Sequence, residues 1–158
     1  MKKLMICFSL LLLVFLPSVL TAEDFEVKLM SQINIFRMSN DLPALVPNEE
    51  LSLLAKDFSD LMVGEARMSH DIITDAEWKV MSGLRGVDRH CIELLVFAPT
   101  LRPNATKAFM CLRDSHDHKE GMLMKEGVAC GIAYSQSVKY SYITVYVGGP
   151  DRRGEKDD

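Results

Sequence analysis

Apolar and polar residues alternate along the chain with two different periods, and the change between them divides it into elements. Leu4 to Leu16 is a continuous apolar run broken only by Ser9 and ended by Pro17. From Glu23 to Asn40, Phe25, Leu29, Ile33 and Phe36 recur at helical spacing and predict one apolar stripe on a polar helix. Two prolines make Asp41–Pro47 a connector. A second helix is expected after Asn48, a good cap, with Glu49 and Glu50 at its positive end. Leu51, Leu54, Ala55, Phe58, Leu61 and Met62 form its buried face, and Gly64 is expected to close it. Thr74-Asp75-Ala76-Glu77 fits a capping box for a short helix carrying Trp78 and Met81. Cys91–Phe97 reads as a buried strand or extended segment. Asn104–Arg113 reads as a helix with Ala105, Ala108, Phe109 and Leu112 on one face. Beyond Gly121 the period falls to two, and Val128–Tyr134 and Lys139–Val147 predict two strands joined by a polar turn. Helices first and a hairpin last make the class α+β, with helices packed on a mostly antiparallel sheet.

The opening run changes the picture most. Lys2 and Lys3, then the apolar core, then small residues around Thr21 and Ala22 have the layout of a cleavable export signal covering residues 1–22. Pro17 stops the run short of the roughly 20 apolar residues that a membrane span needs. A single domain at 23–149 follows, and the charged segment 150–158 forms a tail. The mature protein is therefore expected to be secreted and not an integral membrane protein.

Composition narrows the partners. Without Lys2 and Lys3 the chain has 16 basic against 22 acidic residues, and no basic stripe with interleaved aromatics, so nucleic acid is not an expected partner. Cys91, Cys111 and Cys130 remain after Cys7 leaves with the signal. In an oxidising compartment at most one intrachain disulfide is expected among them. Asn104-Ala105-Thr106 is a glycosylation sequon in a eukaryotic host.

The candidate chemistry lies mid-chain, with His70, His90, His116 and His118. Glu93 interrupts the apolar run Cys91–Phe97. An unpaired buried carboxylate costs several kcal/mol, so it must find a partner or face solvent, and a histidine is a natural partner. The common catalytic signatures HExxH and GxSxG are absent, as are the P-loop and the dinucleotide fingerprint.

The order of the short motifs resembles the CAP superfamily of cysteine-rich secretory, antigen 5 and pathogenesis-related proteins, also called the SCP domain. Ile33-Asn34-Ile35-Phe36-Arg37 resembles its first-helix signature, Leu42-Pro43-Ala44-Leu45 its connector, and Leu51–Met62 with Ala55 and Ser59 its second helix. Arg67-Met68-Ser69-His70-Asp71 falls where that family has its Ser-His. Ser115–Leu123 is similar to the bacterial-type Ser-x-x-His followed by Arg-x-Asn-Ile-Leu. Cys130-Gly131-Ile132-Ala133 and Tyr142–Gly148 resemble its closing strands, so the likeness runs from about Val27 to Gly149. Two features depart from it. The family's Gly-Glu-Asn appears as Ile92-Glu93-Leu94, and its tryptophan falls on Leu112.

The resemblance implies an α-β-α sandwich and a cleft lined by His70, Glu93, Ser115 and His118, with His70 and His118 as metal ligands and zinc as an optional cofactor. His90 matches no ligand of the family. It also implies a binding role toward a sterol, a lipid or another small hydrophobic ligand, a divalent metal, or an extracellular protein or surface. No single reaction is implied. A secreted metal-dependent hydrolase using the same cluster, and a structural domain with a degenerate cleft, are the alternatives.

Overall fold

The computed structural model describes residues 25–87 and 90–151. The signal segment and all but the first two residues of the charged tail lie outside the described residues. The elements are α1 (Phe25–Met38), β1 (Val46–Pro47), α2 (Glu49–Glu65), a short 3-10 turn (His70–Ile72), α3 (Asp75–Leu84), β2 (Cys91–Ala98), α4 (Ala105–Asp114), α5 (His116–Met122), β3 (Ala129–Gln136) and β4 (Ser141–Gly148).

The strands form one sheet in the order β1-β3-β4-β2. β4 pairs antiparallel with both β2 and β3, and the connector adds β1 parallel to β3 through Val46 and Pro47. Pro47 is tolerated because a two-residue edge strand needs no donor from it. Alternation sorts the side chains to two faces, and both are covered. Leu94, Val96, Cys130, Ile132, Ile143, Val145 and Val147 point to one face, where Leu29 and Ile33 of α1 and Ala108 and Leu112 of α4 meet them. Ala129, Ala133, Tyr146, Leu95 and Tyr142 point to the other, against Leu51, Leu54, Ala55, Phe58 and Met62 of α2. The result is the α-β-α sandwich, with β4 buried along its whole length.

α2 comes very close to the sheet at Gly131. A Cβ there would stand 2.2 Å from the carbonyl carbon of Leu51 and 2.3 Å from the nitrogen of Ser52, so only glycine lets helix backbone meet strand backbone. Lower down, Ser59 and Thr144 share a buried hydroxyl bond of 2.9 Å across the same interface.

The local signals for α2 and α3 are as read. Asn48 Oδ1 accepts from the Leu51 amide, and Thr74 and Glu77 form the reciprocal capping box. One boundary differs. Gly64 lies inside α2, which runs on to Glu65 and ends at Ala66 in the left-handed conformation, φ 50°. Arg67 N–H then bonds back to Met62 O at 3.1 Å, the closing bond of a Schellman-type end, and this turn fixes the position of the reversal.

α1 contributes a residue that the apolar stripe does not reveal. Arg37 is fully buried. Its Nε donates to Pro43 O at 2.9 Å, Nη1 to Met122 O at 2.7 Å and Met124 O at 2.9 Å, and Nη2 to Gly127 O at 3.0 Å. Burial lowers its pKa, although not enough to discharge a guanidinium. One turn earlier, Asn34 clamps the connector, donating to Leu45 O at 3.0 Å and accepting from Leu45 N–H at 2.8 Å. The Asn and Arg of the first-helix signature are thus structural staples.

Candidate functional site

Glu93 and Tyr146 are direct cross-strand partners on β2 and β4, on the face that α2 covers. That register brings the phenol to the carboxylate, and Tyr146 Oη donates to Glu93 Oε2 at 2.5 Å. The other carboxylate oxygen meets His70 Nδ1 at 2.8 Å. His70 arrives from the turn after α2. Ser69 Oγ caps that turn by accepting from Asp71 N–H at 3.1 Å, which sets where the imidazole leaves the backbone. The outlying carboxylate of the apolar run therefore has two partners, one buried and one half in solvent.

Burial raises the Glu93 pKa above the usual carboxylate range, while the bonds from Tyr146 and His70 oppose that rise. Burial and the neighbouring carboxylate push the Tyr146 phenol far up, so it stays protonated and acts as a donor. His118 stands on α5 with its ring centroid 6.2 Å from that of His70. Desolvation, then the neighbouring His70, lowers the His118 pKa and favours the neutral imidazole, while Asp117 acts in the opposite direction.

A cleft of about 380 Å³ opens beside this chain of bonds, walled by His70, Glu93, Tyr146, Trp78, Phe58 and His90, among others. Trp78 of α3 lies against Tyr146, with ring centroids 5.3 Å apart and planes at 45°. Of the residues expected at the site, His70 and Glu93 bond directly and line the cleft, and His118 faces His70 from α5 without lining the cavity. Ser115 is not among the cavity's lining residues. It is the single residue between the end of α4 and the start of α5, and makes no side-chain cap bond. His90, which matched nothing in the resemblance, lies on the wall. Nothing in the sequence pattern assigns Tyr146 or Trp78 to the cleft: the first lies within the strand Lys139–Val147 and the second on the short helix after Thr74. A tyrosine opposite the one carboxylate of the neighbouring strand was the available signal, but it requires the register.

The donor set suits a metal only in part. Among the described residues no three or more His, Cys, Asp or Glu side chains converge as a ligand group. Glu93 is engaged at both oxygens, by Tyr146 and by His70, and is placed to orient the His70 ring. That bond occupies Nδ1 and leaves Nε2 as the coordinating nitrogen.

Among the described residues, Cys91, Cys111 and Cys130 form no disulfide. Cys91 on β2 and Cys130 on β3 are separated by β4, about 10 Å at two strand spacings, which exceeds the ~7 Å limit between bridged Cα atoms. Cys111 is exposed on α4. Burial pushes the Cys130 thiol up to about 12, so it is inert.

No protein-family model and no curated protein matches the chain. Its fold does match solved structures. An outer surface protein of Borrelia burgdorferi superposes with a TM-score of 0.65 at 16% identity, over 78% of this chain and 90% of that one. An extracellular protein containing an SCP domain from Bacillus anthracis gives 0.63 at 17% identity, over 78% of this chain and 40% of the other. A cysteine-rich secretory protein of Staphylococcus aureus gives 0.59 at 12%, over 78% and 38%. The chain shares the fold of these SCP-domain and cysteine-rich secretory protein structures. It spans less than half the length of the last two proteins.

Proposed function

We propose that this is a secreted CAP-fold binding protein whose cleft is organised by the His70–Glu93–Tyr146 chain of hydrogen bonds. The observation that carries the reading is that chain itself. Placing a carboxylate in a strand that is otherwise apolar costs stability; the bond from Tyr146 fixes that carboxylate across the β2–β4 register, and its other oxygen orients His70 beside His118. The export pattern at residues 1–22 supports secretion, as do the outer-surface and extracellular descriptions of the structurally similar proteins. Among the described residues no helix is long and apolar enough to cross a membrane.

On this reading zinc would bind beside the cleft between two imidazoles, His70 and His118, and a bound ion would offer its remaining positions to water or to a ligand's donors. Glu93 would hold the His70 tautomer, and burial keeps His118 neutral. Calorimetric titration with zinc tests this. His70→Ala and His118→Ala should each abolish most of the binding, with little further loss in the double variant, because the two act as one site. Binding that survives both substitutions would reject the reading.

The hydrophobic-ligand side of the function has separate support. A largely apolar groove of about 450 Å³ lies between α2 and α3, lined by Leu61, Ile73, Ala76, Val80, Met81 and Leu84, with Glu77 its one charged residue. Val80 is 64% and Leu84 82% exposed. Displacement of a fluorescent fatty acid, lost in Val80→Asp, would place the apolar ligand there. Unchanged displacement would remove the groove from the account.

A further inference from the structure

The end of the sheet away from the cleft carries a surface that the cleft does not use. Past Ala98 the chain turns through residues 99–104 into α4, and β3 and β4 meet in a turn over residues 137–140. Hydrogen bonds fix these two loops to each other. Ser141 Oγ donates to Thr100 O at 2.7 Å, and Gln136 Nε2 donates to Leu101 O. The Ser137 side chain accepts from Tyr140 N–H at 3.1 Å and tightens the turn.

Held this way, the loops present apolar side chains to water. Val138 is 87% exposed, Leu101 47%, Phe97 40% and Tyr140 39%. Phe97 and Tyr140 stack with centroids 4.9 Å apart, and Tyr142 backs Phe97 at 5.4 Å. The charges are equally uneven. Residues 97–104 and 136–141 contain Arg102 and Lys139, both exposed, and no carboxylate, in a chain where acidic residues outnumber basic ones 22 to 18.

We propose that this end docks the protein on an anionic lipid surface. The chemistry has three parts. Val138 and Leu101 are protruding aliphatic groups that gain by leaving water. The Phe97–Tyr140 pair offers the amphipathic aromatic surface that favours the headgroup level. Arg102 and Lys139 stand beside them to meet lipid phosphates. A protruding tip suits a deformable lipid boundary better than a small molecule, which needs a concave site. The hydrogen bonds between the loops fix the patch in advance, so docking orders little that was free. Phe97 lies four residues along β2 from Glu93, about 13 Å at strand rise. The tip can therefore enter the headgroup boundary, roughly 5–10 Å deep, and leave the cleft in water.

The test is cosedimentation of the full secreted protein with large vesicles of phosphatidylcholine mixed with phosphatidylglycerol, against vesicles of phosphatidylcholine alone. Partition should favour the anionic vesicles by roughly tenfold or more and weaken with added salt. Arg102→Gln and Lys139→Gln should each reduce it about fivefold, equivalent to ~1 kcal/mol per cation. Val138→Asp with Leu101→Asp should abolish it, while the thermal melt and the zinc titration of the cleft stay unchanged. Inorganic phosphate matched to the lipid phosphate should not compete, since the proposal is a surface and not a phosphate pocket. Vesicle binding that ignores the tip variants would overturn the proposal, as would protein left in the supernatant with anionic vesicles. Tip-dependent binding to an acidic protein without binding to vesicles would also overturn it and give the surface to a protein partner.

Discussion

Replacing Arg37 by methionine keeps a long side chain in the core and removes the guanidinium that joins three segments. Four hydrogen bonds disappear, to Pro43, Met122, Met124 and Gly127. Their loss is uneven. Met124 O retains the Gly127 amide at 3.2 Å, and Pro43 O is close enough to solvent to recruit water. Met122 O and Gly127 O are left buried without these donors. At about 1–3 kcal/mol for each orphaned carbonyl, the loss is roughly 2–6 kcal/mol. Relief of the cost of burying a charge moves the result toward the lower end. Small domains have only about 5–15 kcal/mol in total, so even that end is large. Arg37→Lys should be no milder, because an ammonium keeps the buried charge and cannot span carbonyls set around a planar fork. Urea unfolding followed by the fluorescence of the single tryptophan, Trp78, and by circular dichroism measures both. Lys56→Ala, on the outer side of α2, serves as the control and should change stability by less than about 0.5 kcal/mol. A loss under about 1 kcal/mol for Arg37→Met, or a harmless Arg37→Lys, would show that the carbonyl cradle does not hold the loops.

Other expectations come from the same geometry. Phe58→Ala should cost about 3–5 kcal/mol by opening a cavity beneath α2, and an effect as small as that of Lys56→Ala would mean the buried face is wrong. Ala66→Gly should stabilise by up to about 1 kcal/mol by relieving the left-handed cap, as read by a higher urea midpoint. Alkylation of secreted, non-reduced protein should find all three mature cysteines reduced, with Cys111 reacting first and Cys130 only on unfolding. A Cys91–Cys130 bridge in the peptide map would contradict the strand order. Glu93→Gln should weaken zinc binding and yet raise stability near neutral pH. With a raised folded pKa, native Glu93 holds a proton that the unfolded chain has already released, so stability falls as pH rises through that window, and the glutamine variant lacks the slope. The His118 imidazole itself, followed by NMR, should titrate below the ordinary value of ~6.5, because burial and His70 lower its pKa; a midpoint above that value would contradict the environment.

The elements and their boundaries were largely legible because capping and periodicity are local. Asn48, Thr74 with Glu77, and Asn104 mark their helices through bonds that span three residues. The end of α2 was misplaced by two residues for an equally local reason. Gly64 is the residue that usually ends a helix, yet the helix ends where the return bond from Arg67 forms, and Ala66 accepts the strained conformation. Chain order could not show that the connector adds a strand, since Val46 and Pro47 become one only when the amides of Val46 and Asn48 bond to Val128 O and Cys130 O. Cysteine count and compartment left the pairing of Cys91, Cys111 and Cys130 open, because they do not tell that β4 lies between Cys91 and Cys130.

The site was legible where a residue broke its local pattern and illegible where it obeyed one. Glu93 stood out because a carboxylate in an apolar strand requires a partner, and that requirement pointed to a histidine before any fold was known. Tyr146 obeyed the alternation of its strand, just as Tyr142 did, so nothing local separated the residue that bonds Glu93 from the one packed against Phe58 and Leu95. Their difference lies in the register: Tyr146 is opposite Glu93 and Tyr142 opposite Phe97. Arg37 and Asn34 show the reverse case. Their positions were legible from resemblance, but their work was not, because a buried arginine bonded only to carbonyls leaves no complementary charge in the sequence. His90 belongs with Tyr146. The bond from Gly149 N–H to His90 O at 2.9 Å anchors it beside the strand end, and only that pairing brings it to the cleft wall. A binding site assembled from cross-strand neighbours is therefore read from sequence only through the member that costs stability to place there.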